Sequence, residues 1–182
     1  MSDLATAKTY VDMRQIMDQG MLTLRGDLKA AKIRKAVKDA TDQTMPKQTQ
    51  VAVDGMTGAA WMSPDEALVL LPHAELAQGM DTMHKALKGA HALLVDVSDA
   101  RCMFELKGAA VREVLAKLAP VDTTPAALKI GHIRRTRLAQ VAGAFWLVDD
   151  ETAHIVAFRS VTDYVAELLG DAISAGSQVF AS

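Results

Sequence analysis

The sequence has little of four features that mark common protein classes: cysteine, aromatic residues, net charge and long apolar runs. Its single cysteine, Cys102, excludes an internal disulfide and is typical of a reducing compartment. Aromatic residues make up 4% of the chain and the formal net charge is -2, so we expect no surface for nucleic acid. No apolar run approaches the roughly 18 residues that cross a bilayer, and the first twenty residues lack the apolar core of a signal peptide. We therefore predict a cytoplasmic protein that does not bind membranes.

The usual motifs of enzyme sites are also missing. The sequence contains no glycine-rich nucleotide loop, no HExxH, no cysteine pair and no GxSxG elbow. Its histidines never stand four residues apart, so a metal site would need ligands from distant segments. We expect neither catalytic nor metal-binding residues, and an independent enzyme is the hypothesis with the least support. The histidines are His73, His84, His91, His132 and His154.

The most strongly patterned stretch is 91–119, which predicts a strand, a turn, a second strand and a helix. The apolar run 92–97 ends in a polar turn. From 102 to 107 the residues alternate, which predicts a half-buried strand with Met103 and Glu105 on one face. A helix at 109–119 follows, because apolar residues recur at helical spacing on one face. These are Val111, Val114, Leu115 and Leu118.

Two segments of this pattern occur twice in the chain. MLTLRG at 21–26 resembles MFELKG at 103–108, and each is followed by a helical stretch, 27–41 in the first half. GAAWMSPDE at 58–66 matches GAFWLVDDE at 143–151 and pairs Trp61 with Trp146. We interpret this repetition as an internal duplication.

Each half is predicted to run strand, helix, strand, strand, helix, strand. The fold class is therefore α+β, with two duplicated ferredoxin-like (βαββαβ) units related by a pseudo-twofold axis. We expect the first unit at 20–98 and the second at 99–182, packed as one globular domain, with an N-terminal arm at 1–19 that orders only against a partner. The predicted long strands are 50–62 and 136–148, the return strands are 67–71 and 152–158, the closing strands are 92–97 and 178–180, and a loop is inserted at 122–131.

Two polar groups are candidate sites. Asp96, Ser98 and Asp99 suit an acid/base or an acceptor for a pterin amine, although such residues at a strand end more often cap a turn, which we favour. Arg135 and Arg137, two apart on a strand and next to Arg134, share a face that suits an acidic partner. Protection of a solvated strand edge explains these arginines equally well.

Several segments resemble one known family. VDVSDARCMFELKGAAVREVLAKLAPVD, IRRTRLAQVAGAFWL and FRSVTDYVAELL are similar to the gamma subunit of heterotetrameric sarcosine oxidase, and MLTLRGD and AAWMSPDEALVLLP resemble that family's first-half motifs. The resemblance runs from about residue 20 to the C-terminal helix and leaves the N-terminal arm outside. The family also resembles the aminomethyltransferase (glycine-cleavage T-protein) fold.

The resemblance implies a non-catalytic structural subunit of a bacterial complex with alpha, beta and delta partners. That complex acts in sarcosine catabolism and one-carbon metabolism: it oxidatively demethylates sarcosine to glycine with O2 and tetrahydrofolate, giving hydrogen peroxide and 5,10-methylenetetrahydrofolate. The resemblance places FAD, FMN, NAD, tetrahydrofolate and zinc on the other subunits and no cofactor on this chain. The alternative is a folate-binding aminomethyltransferase-like module, with Asp96, Ser98 and Asp99 as a vestigial folate-side turn.

Overall fold

The computed structural model describes residues 10–175, which form ten strands and four α-helices. The sequence prediction of an α+β protein is confirmed. The strands are β1 (Asp12–Ile16), β2 (Gln19–Gly26), β3 (Val51–Asp54), β4 (Thr57–Ser63), β5 (Glu66–Pro72), β6 (Ala92–Asp96), β7 (Arg101–Lys107), β8 (Ile133–Leu138), β9 (Val141–Leu147) and β10 (Thr152–Phe158), and the helices are α1 (Ala31–Thr41), α2 (Leu76–Leu87), α3 (Val111–Leu118) and α4 (Thr162–Ile173).

The strands form two antiparallel five-stranded sheets of similar design. The first sheet has the order β3-β4-β5-β2-β6 and the second the order β8-β9-β10-β7-β1. A bridge between Gln50 and His132 joins the two sheets near the starts of β3 and β8. Strand β1 lies in the first half of the chain but pairs with β7 of the second sheet. Every other described strand pairs within the sheet of its own half.

The sheets pack face to face and each carries two helices on its outer side. One apolar cluster lies between α1, α2 and the first sheet, and a second lies between α3, α4 and the second sheet. A third cluster joins the sheets through side chains of both, including Met21 and Leu70 of the first and Met103 and Trp146 of the second. The order of layers is therefore helix, sheet, sheet, helix.

The segments with the strongest sequence patterns form the helix and strands predicted for them. All four apolar residues predicted to line α3 are buried. The predicted return strands correspond to β5 and β10. In β7 the alternation places Met103 and Phe104 on opposite faces as predicted, but both are buried, one between the sheets and one on the helix side, so the prediction of a half-buried strand is wrong. The predicted loop at 122–131 contains neither helix nor strand, and Arg112 holds it by donating to the carbonyls of Thr123 and Leu128 at 2.9 and 2.8 Å.

The two long strands predicted at 50–62 and 136–148 are wrong, because each is a hairpin. Two-residue turns separate β3 from β4 and β8 from β9. Gly55 and Ala139 in these turns adopt φ of 57° and 48°, a left-handed conformation that reverses the chain. The hairpins add β3 and β8 as edge strands that the predicted units do not contain.

The predicted N-terminal arm needs a correction over Asp12–Ile16. These residues form β1 against β7, and Val11 just before them is buried in the helix-side core of the second sheet. An edge strand tolerates the polar composition that suggested an arm, because one face of it meets solvent. The predicted closing strand at 178–180 lies outside the described residues. In residues 10–175, no helix is long and apolar enough to cross a membrane.

Candidate functional site

The site with the most chemistry is a row of side chains that crosses all five strands of the second sheet. Strand pairing sets Arg14 opposite Glu105, Glu105 opposite His154, His154 opposite Trp146 and Trp146 opposite Ile133. Because residues in register share a face, these five side chains lie on the side that meets the first sheet. We call them the polar row, although Ile133 closes it with an apolar side chain.

Glu105 contacts its two neighbours in the polar row, Arg14 and His154. The guanidinium of Arg14 donates to its two oxygens, at 2.7 Å from Nε to Oε1 and 3.1 Å from Nη2 to Oε2. Nε2 of His154 lies 3.3 Å from Oε2. The Arg14 hydrogen bonds are the main cause that lowers the pKa of Glu105, with His154 contributing less. Glu105 is therefore an ionised acceptor near neutral pH.

His154 is buried, and burial lowers its pKa despite the opposing influence of Glu105. A neutral imidazole that faces an ionised carboxylate carries its proton on Nε2, so Nδ1 is left as an acceptor. Nδ1 of His154 and Nε1 of Trp146 are both buried without a hydrogen-bond partner among residues 10–175. The two rings meet edge to face with centroids 5.6 Å apart.

A cleft of about 460 Å³ opens between the sheets over the polar row. Its floor includes Trp146, His154 and Glu105, and the exposed apolar side chains of Ile130 and Val148 stand on its walls. A concave, largely apolar site with a few polar groups at its base is typical of ligand pockets. At this base Nε1 of Trp146 and Nδ1 of His154 are themselves buried, and Thr152 supplies the one hydroxyl among the described lining residues.

The corresponding row of the first sheet is almost wholly apolar. The residue that the sequence repeat pairs with Glu105 is Thr23, and the strand register sets Thr23 between Val95 and Leu68. The row continues to Ala60 and Val51. The polar chemistry thus belongs to one half of the duplicated architecture only.

Of the predicted turn residues, Asp96 and Ser98 make hydrogen bonds that close the turn and join it to β2. The Asp96 carboxylate accepts from the backbone N and from Oγ of Ser98, at 2.9 and 2.6 Å, and Oγ of Ser98 accepts from the backbone N of Met21 at 2.9 Å. Ser98 is buried, whereas Asp96 and Asp99 are exposed. These contacts attach the end of β6 to β2, and none of the three residues lines the cleft.

The three predicted arginines do not lie together. Arg134 points to one face of β8, where it donates to the carbonyl of Ala127 in the inserted loop. Arg135 and Arg137 share the opposite face and are exposed, as the spacing predicts. Arg135 donates to the carbonyl of Met62 in the first sheet at 3.2 Å, and Arg137 makes no hydrogen bond or ion pair within residues 10–175.

The sequence analysis missed the polar row because its members come from distant segments that only sheet pairing brings together. A signal was nevertheless present in β10, where His154 interrupts an otherwise apolar buried strand. Glu105 is predicted on the face of β7 that it shares with Met103, and the structure places that face between the sheets. A charged residue and a histidine on inward faces of neighbouring strands indicate a paired contact, since buried polar groups need partners.

Comparison with known proteins identifies the family. The protein-family model described as the sarcosine oxidase, gamma subunit family matches residues 25–175 of the sequence. The chain belongs to this family. It is 31% identical over 142 residues to the sarcosine oxidase subunit gamma of Corynebacterium sp. (strain P-1), which covers 76% of this chain and 68% of the relative. The subunit gamma of Arthrobacter sp is 27% identical over 141 residues, with the same coverage of both chains.

Two solved structures are similar to this chain. A chain of the heterotetrameric sarcosine oxidase from Corynebacterium sp. U-96, in complex with pyrrole 2-carboxylate, matches with a TM-score of 0.83 and 27% identity over 94% of this chain and 88% of that one. The glycine cleavage system aminomethyltransferase T from Bartonella henselae matches with a TM-score of 0.65 over 90% of this chain and 46% of that one. At 12% identity the second match shows a shared fold alone.

Proposed function

We propose that this chain is the gamma subunit of a heterotetrameric sarcosine oxidase, to which it contributes structure and assembly contacts rather than catalytic groups. The observation that carries the proposal is the match with a chain of such a complex over 94% of this sequence. Family membership supports it over residues 25–175. The chemistry of the polar row is compatible with a structural role, because Glu105 binds both Arg14 and His154 within the fold.

Each sheet also has the strand order of a ferredoxin-like unit. In the first sheet the order β6-β2-β5-β4, with α1 and α2 as crossovers, has the pattern expected of a ferredoxin-like unit, to which β3 adds an edge. In the second sheet the order β1-β7-β10-β9 has the same pattern. We infer that the chain is a duplicated pair of such units, in which β1 takes the place of the second closing strand.

The partners and cofactors follow from the family resemblance. We expect alpha, beta and delta subunits around this chain in the cytoplasm, and we expect FAD, FMN, NAD, tetrahydrofolate and zinc on those subunits. The reaction of the whole complex would convert sarcosine to glycine and hydrogen peroxide and pass the one-carbon unit to tetrahydrofolate. This chain would then influence the reaction only through the yield and stability of the complex.

The direct test is to express the complex with and without this chain. We expect that omitting it lowers the yield of assembled, flavin-bearing enzyme, and that adding the purified chain restores assembly. The purified chain alone should be colourless and should form no sarcosine-dependent peroxide above a buffer blank. Turnover by the isolated chain would contradict the proposal.

A folate-binding module is the second candidate, favoured by the cleft over the polar row. Against it, Arg14 and His154 already take three of the roughly four acceptor sites of the Glu105 carboxylate, so at most about one is left for the donors of a pterin. We expect no saturable binding of tetrahydrofolate to the isolated chain by calorimetry. Micromolar affinity at one site per chain would favour the module instead.

A further inference from the structure

A second and smaller cavity lies between the sheets and is lined by two positively charged side chains. Its volume is about 120 Å³, the space of a few water molecules at roughly 30 Å³ each. Arg101 at the start of β7 and Arg135 on β8 both line it, together with Met62 of the first sheet and mostly apolar residues of β9 and β10. The cavity therefore suits a group of a few atoms and is too small for a nucleotide.

The positive charge around this cavity is not balanced within the described residues. Nη2 of Arg101 lies 4.0 Å from Oε1 of Glu66, but Oε2 of Glu66 is bound more closely by Arg25, at 3.0 Å. Arg135 forms no ion pair in residues 10–175, and its guanidinium donates only to the carbonyl of Met62. The guanidinium groups of Arg25 and Arg101 thus share the carboxylate of Glu66, and Arg135 has no carboxylate partner among the described residues.

Arg101 has a buried hydrogen-bond donor that is left without an acceptor in the described part of the chain. Only 14% of its side chain is exposed, its guanidinium lies 5.2 Å from the ring centroid of Phe158, and its Nε is buried with no acceptor among the described residues. Burial lowers the pKa of Arg101, Glu66 raises it and the like charge of Arg135 lowers it further. A guanidinium stays protonated throughout the physiological range, so the buried charge and the unpaired donor both persist.

We propose that this cavity is an oxyanion site, in which a carboxylate or phosphate group is bound between the guanidinium groups of Arg101 and Arg135. An oxyanion in the cavity would pair with both guanidinium groups and would separate two like charges. Guanidinium groups match the geometry of both carboxylate and phosphate through paired hydrogen bonds. The anion comes either from solution or from an acidic side chain of a partner subunit.

The site is tested by thermal unfolding of the purified chain against sodium phosphate and sodium acetate, with sodium chloride at matched ionic strength. We expect Tm to rise with the logarithm of phosphate or acetate concentration and to change little with chloride. Arg135→Gln and Arg101→Gln should each weaken the apparent affinity about tenfold or more, because one paired contact is lost. Arg137→Gln is the matched control and should bind the anions as the parent does.

Arg135 is exposed, so Arg135→Gln should fold even where Arg101→Gln does not. Equal Tm changes with all three salts, or phosphate and acetate responses that Arg135→Gln leaves intact, would overturn the proposal. The same titration on the assembled complex separates the two sources of the anion. A retained response identifies an anion from solution, and a response lost only on assembly identifies a partner's carboxylate in the site.

Discussion

Glu105 and His154 stand opposite each other on β7 and β10, with 3.3 Å between the carboxylate Oε2 and the imidazole Nε2. The carboxylate is held ionised by Arg14, and the imidazole is kept neutral chiefly by burial. Both groups therefore have folded-state pKa values below their ordinary values, so both reduce the stability of the fold as the pH falls.

The first prediction concerns His154 and pH. Unfolded histidine binds a proton near pH 6.5, whereas His154 in the folded chain does so only at a lower pH. The unfolded state thus gains protons first, and the free energy of unfolding should fall as pH is lowered from about 7.5 to 5.5. His154→Gln should remove up to about 1.4 kcal/mol per pH unit of that slope. The measurement is urea unfolding at several pH values.

His84→Gln is the control, because His84 is exposed on α2. It should keep the pH dependence of the parent chain. Equal slopes for His154→Gln and the parent would show that His154 is not buried as a neutral group. The Glu105 contribution is separate, since a carboxylate with a lowered pKa adds stability that is lost only below about pH 4.3.

The second prediction concerns the N-terminal segment. Val11 is 2% exposed and packs in the helix-side core of the second sheet, next to β1. Val11→Ala should lower the free energy of unfolding by about 1 to 3 kcal/mol, through lost apolar burial and the cavity left behind. Asp12→Ala, at the neighbouring exposed position, should change it little. If Val11→Ala has no effect, the segment does not belong to the fold.

The third prediction uses two glycines with opposite surroundings. A Cβ at Gly58 would lie 2.1 Å from the carbonyl oxygen of Ala52, on backbone with φ of 151°. Gly58→Ala should therefore destabilise the chain by about 2 kcal/mol or more. A Cβ at Gly170 in α4 would meet nothing within 4 Å, so Gly170→Ala should stabilise it by about 0.5 to 1 kcal/mol. Denaturant unfolding measures both, and effects of the same sign would contradict the local geometry.

The sequence predicted elements well where a single segment decides the structure. The apolar spacing of α3 and the alternation of β7 depend on residues close in the chain, and both elements formed as predicted. The hairpin at Gly55 also had a local signal, because glycine favours the first position of a two-residue turn that needs a positive φ. The turn at Ala139 had none, because alanine rarely adopts a positive φ.

Relationships between distant segments were beyond the sequence patterns. The repeat pairs Trp61 with Trp146, yet Trp61 packs on the helix side of its sheet and Trp146 lies between the sheets. The same difference holds one residue earlier, where Ala60 lies between the sheets and its repeat partner Phe145 lies on the helix side, so in this segment the repeat pairs residues on opposite faces. The polar row depends on four strand registers at once, so only the folded sheet reveals it.

The fourth prediction concerns assembly through β8. If the exposed face with Arg135 and Arg137 meets acidic groups of a partner, replacing both by Ala should leave partner carboxylates unpaired, at about 2 to 5 kcal/mol for each buried pair. The complex should then form in lower yield and dissociate at lower salt. Size-exclusion chromatography over a salt series measures this. Lys85→Ala with Lys88→Ala, at exposed positions around the end of α2, is the control.

Unchanged yield and salt resistance in the Arg135 and Arg137 double variant would mean that these charges only cover a strand edge. The interface would then lie elsewhere, and the basic face of α1 or the loop at 122–131 would be the next surfaces to vary. The oxyanion site is assayed separately on the isolated chain, so its outcome does not depend on this result.

The most direct test of the account is to recover the tagged chain from the cells that produce it and identify its partners by mass spectrometry. We predict three further subunits in fixed stoichiometry with the tagged chain, in a fraction that shows flavin absorbance and oxidises sarcosine. Recovery of the chain alone, or with proteins unrelated to sarcosine oxidation, would contradict the assignment of this chain as an assembly subunit of that enzyme.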